Sequence, residues 1–370
     1  MSAGAESQIA SVPPKPVNVA AIERELGRLW DEPTPPDAAA HVTRACMSNL
    51  VVLCGAEADA LALELPAIVR QHPARILLLA TVDNQRDDLE AFVSAQCYLG
   101  SGGRQVCSEH VMVQARAAAM TRLPSIVRPL LIGDLPTTLW WAAGGSLAGD
   151  DLFEELIPLA NQLVYDSAAW GDALPRVAPS LERAFALLHH FVVADLAWHR
   201  LQPWLHLISE TLDPGALPGA LESISEISIE HGARGLPPAL LLAGWLASRL
   251  GWHPTSGDTP PTSPLTWTLQ SAHGGVNAAV HHLPNGEEGI RTVTIRYARG
   301  GRVARLRFAH RAAGFWQATA DGIEMPERRY TAPVPDRAAL VAQQLSELGR
   351  NTLFQETLTM ARQLAGTAPT

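Results

Sequence analysis

Two apolar runs constrain the fold most: MSNLVVLC (residues 47–54) and ARILLLATVD (74–83). Between them AEADALALELPAIVRQ carries helical spacing. Strands apolar at every position need cover on both faces. Two of them joined by a helix form a βαβ unit, so the pair predicts a parallel sheet sandwiched by helices.

The elements that follow extend this reading. VNVAAIERELGRLWDE is an amphipathic helix with Ile22, Leu26 and Trp30 on one side. DLEAFVSAQCYLG and RQVCSEHVMVQA alternate with period two around GSGG and predict a β-hairpin extension at Gly100–Gly103. A helix over Ala117–Val127, the strand TTLWWAA, the helix DDLFEELIPLA and the strand NQLVYDSA restore the α/β alternation. The helices APSLERAFALLHH and VADLAWHRLQPWLHLISETLD follow. Residues 1–17 read as a disordered arm and 18–214 as an α/β domain.

Two prolines and two glycines cluster in DPGALPGA, Asp213–Ala220, and mark a break. Residues 215–370 then read as an α+β domain. One strand and a helix near Pro237 lead into a Pro/Ser/Thr-rich loop, HPTSGDTPPTSP. LTWTLQSA, VNAAVHHL, IRTVTIRYA, RVARLRFA and GFWQATA form strands in series, which predicts an antiparallel sheet. Two helices close the chain.

Composition bounds the function classes. With 47% hydrophobic and 18% charged residues, the 370-residue chain can bury a large core. A net charge of −9 argues against general nucleic-acid binding. The start MSAGAESQIASVPPKP lacks the charge and apolar run of a signal peptide. PPALLLAGWLASRLGW is shorter than the roughly 20 apolar residues a membrane span needs. Four cysteines without C-x-x-C spacing point to a reducing cytoplasm. We therefore expect a cytoplasmic protein that engages neither membrane nor nucleic acid.

Familiar catalytic signatures are missing. GSGGR joins two strands, where a dinucleotide site needs a strand-to-helix turn. No G-x-x-x-x-G-K-[ST], H-E-x-x-H or G-x-S-x-G occurs. His189-His190 and His281-His282 are adjacent pairs without the i, i+4 spacing of a helical metal site. No catalytic residue, metal or cofactor is expected. Asp166-Ser167 ends a predicted parallel strand, where open α/β sheets place ligands, but such residues also cap helices.

Three blocks stand out together: DLPTTLWW (134–141), VYDS (164–167) and DLAWHRLQPW (195–204). One tryptophan of the Trp140-Trp141 pair faces a core. The other is a candidate for a covering helix or a partner surface. In this order the blocks resemble the OpcA family, over roughly Leu78–Pro214. Its members are described as assembly or allosteric activator proteins for glucose-6-phosphate dehydrogenase. The resemblance implies a non-enzymatic partner of that dehydrogenase, supporting the oxidative pentose phosphate pathway and carbohydrate metabolism. Its motifs make Asp134, Leu135, Pro136, Trp140, Trp141, Asp166, Ser167, Asp195, Trp198, Arg200 and Trp204 candidates for partner binding.

Nine arginines and three acids lie between Arg291 and Arg329, a local excess of six positive charges in an acidic chain. Arg296, Arg302, Arg305 and Arg307 are candidates for anion binding, since the guanidinium fork suits phosphates and carboxylates. A solvated sheet face, an acidic protein partner and a phosphate ligand are the alternatives. The last would make the chain a sugar-phosphate or other anionic small-molecule binder or enzyme. Finally, if Leu99 pairs with Gln105, Cys97 lies opposite Cys107, within disulfide reach. A one-residue slip would part them. They are a candidate redox pair, or two reduced, buried thiols. Cys46 and Cys54 flank a strand and are too far apart to bond.

Overall fold

The computed structural model describes residues 12–31, 42–82, 88–99, 105–258, 264–312 and 314–366. The chain divides into two compact units. The first comprises Met1–Ala143, Asp150–Tyr165 and Asp336–Leu348; the second comprises Gly144–Gly149, Asp166–Pro335 and Gly349–Thr370.

The first unit carries a mainly parallel sheet. Its strands lie in the order Val12–Val17, Leu89–Leu99, Gln105–Arg116, Ala74–Val82, Ser48–Cys54, Thr137–Trp141 and Gln162–Tyr165. The βαβ unit forms as its apolar runs require: Ser48–Cys54 and Ala74–Val82 pair in parallel, with helix Ala58–Gln71 between them in sequence. Every residue of Ser48–Cys54 is buried. The hairpin is built into the sheet, because its second arm pairs in parallel with Ala74–Val82 over seven residues. Only Leu89–Leu99 and Val12–Val17 run antiparallel to their neighbours. The turn residues 100–103 lie outside the described residues.

The end of the expected arm is a strand, and residues 1–11 lie outside the described residues. Val12–Val17 pair with the edge of Leu89–Leu99, with a register break between Val12 and Lys15. Pro14 and Pro16 cannot donate to a ladder, which confines such a segment to an edge.

The second unit holds a mainly antiparallel sheet. Its order is His253–Asp258, Leu265–Ser271, Gly274–His282, Ile224–His231, Ile290–Arg299, Arg302–Ala312, Phe315–Asp321 and Arg328–Thr331. Ile224–His231 and Gly274–His282 form its parallel pair. Part of the expected Pro/Ser/Thr loop is a strand, since His253–Asp258 pair with Leu265–Ser271. Helix Leu236–Leu250 packs against Thr352–Gly366, which also meets Leu174–Leu187. A Cβ at Gly244 would lie 2.8 Å from both Ala361 N and Thr357 O, so only glycine lets these backbones come so close.

The units divide the chain elsewhere than at 214/215. Helix Leu174–Leu187 buries its apolar face on the terminal helix, which draws the chain from Asp166 onward into the second unit. Helix Arg337–Ser346 returns to the first, packing on Ala58–Gln71. The helix expected over 193–213 falls on three elements: strand Val192–Asp195 and helices Leu196–Arg200 and Gln202–Thr211. Asp195 caps the first helix through the Ala197 N–H at 2.9 Å. Pro203 opens the second, where a missing N–H costs no intrahelical bond.

Candidate partner-binding surface

In the first unit the Trp-Trp strand is an interior strand. Thr137–Trp141 pairs in parallel with Ser48–Cys54 on one side and Gln162–Tyr165 on the other. Trp140 is 1% exposed and Trp141 3%, so neither ring faces solvent. Trp141 meets the Phe153 ring edge-on at 5.1 Å. The Arg337 guanidinium lies 5.8 Å from the centre of the Trp140 ring. Glu64 holds that guanidinium at 2.6 and 3.0 Å and Glu57 at 3.1 Å. The hydrogen bonds to Glu64 push the Arg337 pKa up. Trp140 is therefore met by the element that carries Arg337, helix Arg337–Ser346.

The turn before this strand is held by Asn49. Its side chain accepts from Ile132 N–H at 2.9 Å and donates to Ile132 O at 3.0 Å. Asp134 is exposed on this fixed turn, while Leu135 and Pro136 are half-buried. The signal for Asn49 was one buried amide in an otherwise apolar run.

In the second unit Asp166, Ser167, Asp195 and Arg200 come together. Arg200 Nη1 donates to both oxygens of Asp166, at 2.9 and 2.8 Å. Asp195 Oδ1 accepts from Ser167 N–H at 3.0 Å. Burial, with the nearby charge of Asp166, pushes the Asp195 carboxyl up to about 7. Ser167 and Asp195 are fully buried. Trp198 packs against Phe354 with ring centres 5.9 Å apart, and Trp204 is buried as well. The aromatic rings of DLAWHRLQPW thus face a core; Arg200 and Asp166 retain partial exposure. Asp172, which the sequence did not single out, accepts the N–H groups of Arg234, Gly235 and Leu236 at 2.7–2.9 Å. It caps helix Leu236–Leu250 from a distant loop.

The arginine-rich strands present an ordered face. Ala304, Leu306 and Phe308 are buried, while Val303, Arg305 and Arg307 alternate with them and are exposed. Arg296 lies directly opposite Arg305 and joins their face. Arg302 is out of phase with Arg305 and Arg307, at the strand's start. Arg296 bonds Glu226 at 2.8 Å, Arg291 bonds Glu287 at 2.7 Å, and Arg328 bonds Glu210 at 3.3 Å. Among the described residues, Arg302, Arg305 and Arg307 form no ion pair, and Asp321 stands directly opposite Arg305 on the next strand.

Cys97 and Cys107 stand in the expected register and are joined by a disulfide, with Cα atoms 4.0 Å apart. Cys54 is free and buried, and burial pushes its thiol up to about 12. No helix among the described residues is long and apolar enough to cross a membrane.

Residues 66–179 match the family model described as glucose-6-phosphate dehydrogenase subunit N-terminal domain. Residues 192–358 match the model described as the C-terminal domain of the same subunit. The chain belongs to the OpcA family. The second matched stretch begins at Val192, ahead of the break at 213–220.

An OxPP cycle protein OpcA from Nostoc punctiforme is 33% identical over 194 residues, 51% of this chain and 40% of the relative. One from Synechococcus elongatus is 32% identical over 192 residues, 51% of this chain and 42% of the relative. The match thus spans about two-fifths of these curated relatives. Among solved structures, an oxidoreductase from Sinorhizobium meliloti is similar with a TM-score of 0.49 and 8% identity, over 87% of this chain and 96% of that one.

Proposed function

We propose that this OpcA-family chain is a non-enzymatic partner of glucose-6-phosphate dehydrogenase that binds it, supports its active assembly and raises its activity allosterically. The observation that carries the reading is the pair of family matches, both described as domains of a glucose-6-phosphate dehydrogenase subunit and together spanning both units. The curated relatives, named for the OxPP cycle, support the same pathway.

The chemistry of the most polar strand-end cluster supports a structural part for it. Asp195 is spent on capping and Asp166 on Arg200, while Ser167 is fully buried and out of reach of a substrate. A nucleophile needs a base within hydrogen-bond reach and an approach for the reacting atom, and Ser167 has no such approach. We place the protein in the cytoplasm with its partner enzyme. Co-purification with the cognate dehydrogenase, followed by its kinetics with and without this chain, tests the proposal. A complex with raised activity is expected; no complex and equal kinetics would overturn it.

A further inference from the structure

The strand order of the first unit singles out one crevice. From Ser48–Cys54 the chain adds Ala74–Val82 and then Gln105–Arg116 on one side. It returns to add Thr137–Trp141 and then Gln162–Tyr165 on the other. The order therefore reverses between Ser48–Cys54 and Thr137–Trp141, which pair in parallel. In open sheets of this kind a ligand binds outside the carboxyl ends of the strands at that reversal. A dinucleotide sits there with its pyrophosphate on the amino end of the helix that follows the first strand.

Here that helix is Ala58–Gln71, and its start is acidic. Glu57 stands at the cap position without bonding it, and Asp59 lies in the first turn. The link from Cys54 holds one glycine, Gly55, where the dinucleotide turn uses three. Carboxylates stand where a pyrophosphate needs bare N–H groups.

The occupant of this place is Arg337. Its guanidinium forks onto both oxygens of Glu64, at 2.6 and 3.0 Å, and reaches Glu57 at 3.1 Å. It lies 5.8 Å from the centre of the Trp140 ring. Trp140 is the last residue but one of its strand. The charge of Arg337 also acts on the thiol of Cys54, which ends the neighbouring strand. The guanidinium thus lies at the carboxyl ends of both strands that flank the reversal. Its helix, Arg337–Ser346, runs from there to the amino ends. Ser346 Oγ meets His72 Nδ1 at 3.3 Å, and His72 Nε2 meets Ser48 Oγ at 3.1 Å. Gln162, the first residue of its strand, donates to the carbonyls of Gln344 and Glu347 at 3.2 Å. The helix is pinned at both edges of the sheet, and Arg337 is fixed at one of them.

A bidentate carboxylate, a second carboxylate and an aromatic ring together form a receptor for a guanidinium. The same carboxylates repel a phosphate. We propose that this crevice is a guanidinium site filled by the chain's own Arg337, and that helix Arg337–Ser346 thereby closes to nicotinamide dinucleotides the place where a sheet of this order would take one. The proposal stands apart from the partner enzyme.

The test is chemical rescue in the full chain. Arg337→Ala removes the guanidinium and leaves Glu57 and Glu64 without it. Its thermal midpoint should fall by roughly 3–6 °C. N-ethylguanidine, a guanidinium on a short stem, should restore a saturable part of that fall and leave wild type unmoved. Ethylammonium at the same concentration, a compact cation without the planar fork, should restore less. Calorimetric titration with NADP should show no binding to either protein. Equal responses of variant and wild type to N-ethylguanidine, or equal rescue by ethylammonium, would overturn the guanidinium site. Micromolar binding of NADP by wild type would overturn the closure. Arg337→Lys, which keeps the charge, serves if Arg337→Ala does not fold: its midpoint should still fall, and a wild-type midpoint would overturn the site. None of these readouts involves the dehydrogenase, so failure here leaves the proposed function standing.

Discussion

Asp172 accepts three consecutive backbone N–H groups, those of Arg234, Gly235 and Leu236, and its bond to Leu236 is 2.9 Å long. Arg234 sits at φ 57°, a left-handed conformation uncommon for a residue with a Cβ. The carboxylate holds this turn and satisfies the exposed end of helix Leu236–Leu250 at once. Asp172→Ala should cost about 2 kcal/mol, in the range of a lost cap plus unpaired donors. Chemical denaturation of both proteins measures it; unchanged stability would show the turn holds itself.

Asp195 predicts an unusual pH response. Its folded carboxyl lies near 7, well above the ordinary value of 3.8. Between these values the folded chain holds a proton the unfolded chain releases, so this group's contribution to stability falls as pH rises and levels off above about 7. The effect is on the order of a few kcal/mol. Asp195→Asn, unable to ionise, should flatten the slope between pH 4 and 7 and gain on wild type at pH 8. Unfolding free energies of both proteins across that range test this. Parallel curves would mean the carboxyl is ionised throughout.

The pattern of residues 193–213 reads as one continuous helix. It was misleading because a four-residue strand ends at Asp195 and the helix restarts at Gln202. Short strands beside helices carry no period of their own, so the helix pattern absorbed Val193 and Ala194. The parallel sheet was legible because its central strands carry unbroken apolar runs, Leu50–Cys54 and Ile76–Ala80, and the hairpin register because the arms alternate around glycines. The covering of Trp140 was not legible: Arg337 lies nearly two hundred residues downstream, and nothing local announces its return to the first unit. Asp172 escaped notice for the same reason, since its partners are more than sixty residues away in sequence. The outward phase of Arg305 and Arg307 could have been read from the alternation in RVARLRF.

Cys97 opposes Cys107 and is bonded to it across the hairpin. Digestion without reductant should yield the linked peptide, while Cys54 stays unlabelled by thiol reagents at pH 8 until the chain unfolds, because its thiol titrates near 12. Reduction should lower stability by about 2 kcal/mol, as expected for a short closed loop. Cys97→Ser/Cys107→Ser should make unfolding insensitive to reductant. Four free thiols in air-oxidised, denatured protein would exclude the bond.

Gly244 marks the tightest helix contact. Gly244→Ala places a methyl 2.8 Å from backbone atoms of Thr357 and Ala361, which a side-chain rotation cannot relieve. The helices must part, at about 1–3 kcal/mol. A thermal midpoint within a degree of wild type would show that the second unit has slack there.

We propose that this chain acts by raising the activity of glucose-6-phosphate dehydrogenase. The direct measurement is the initial rate of the purified cognate dehydrogenase as this chain is titrated in, alongside the chain assayed alone. A saturable rise in kcat/KM at a fixed stoichiometry is expected, with no dehydrogenase activity from the chain itself. A flat titration, or turnover by the chain alone, would contradict it.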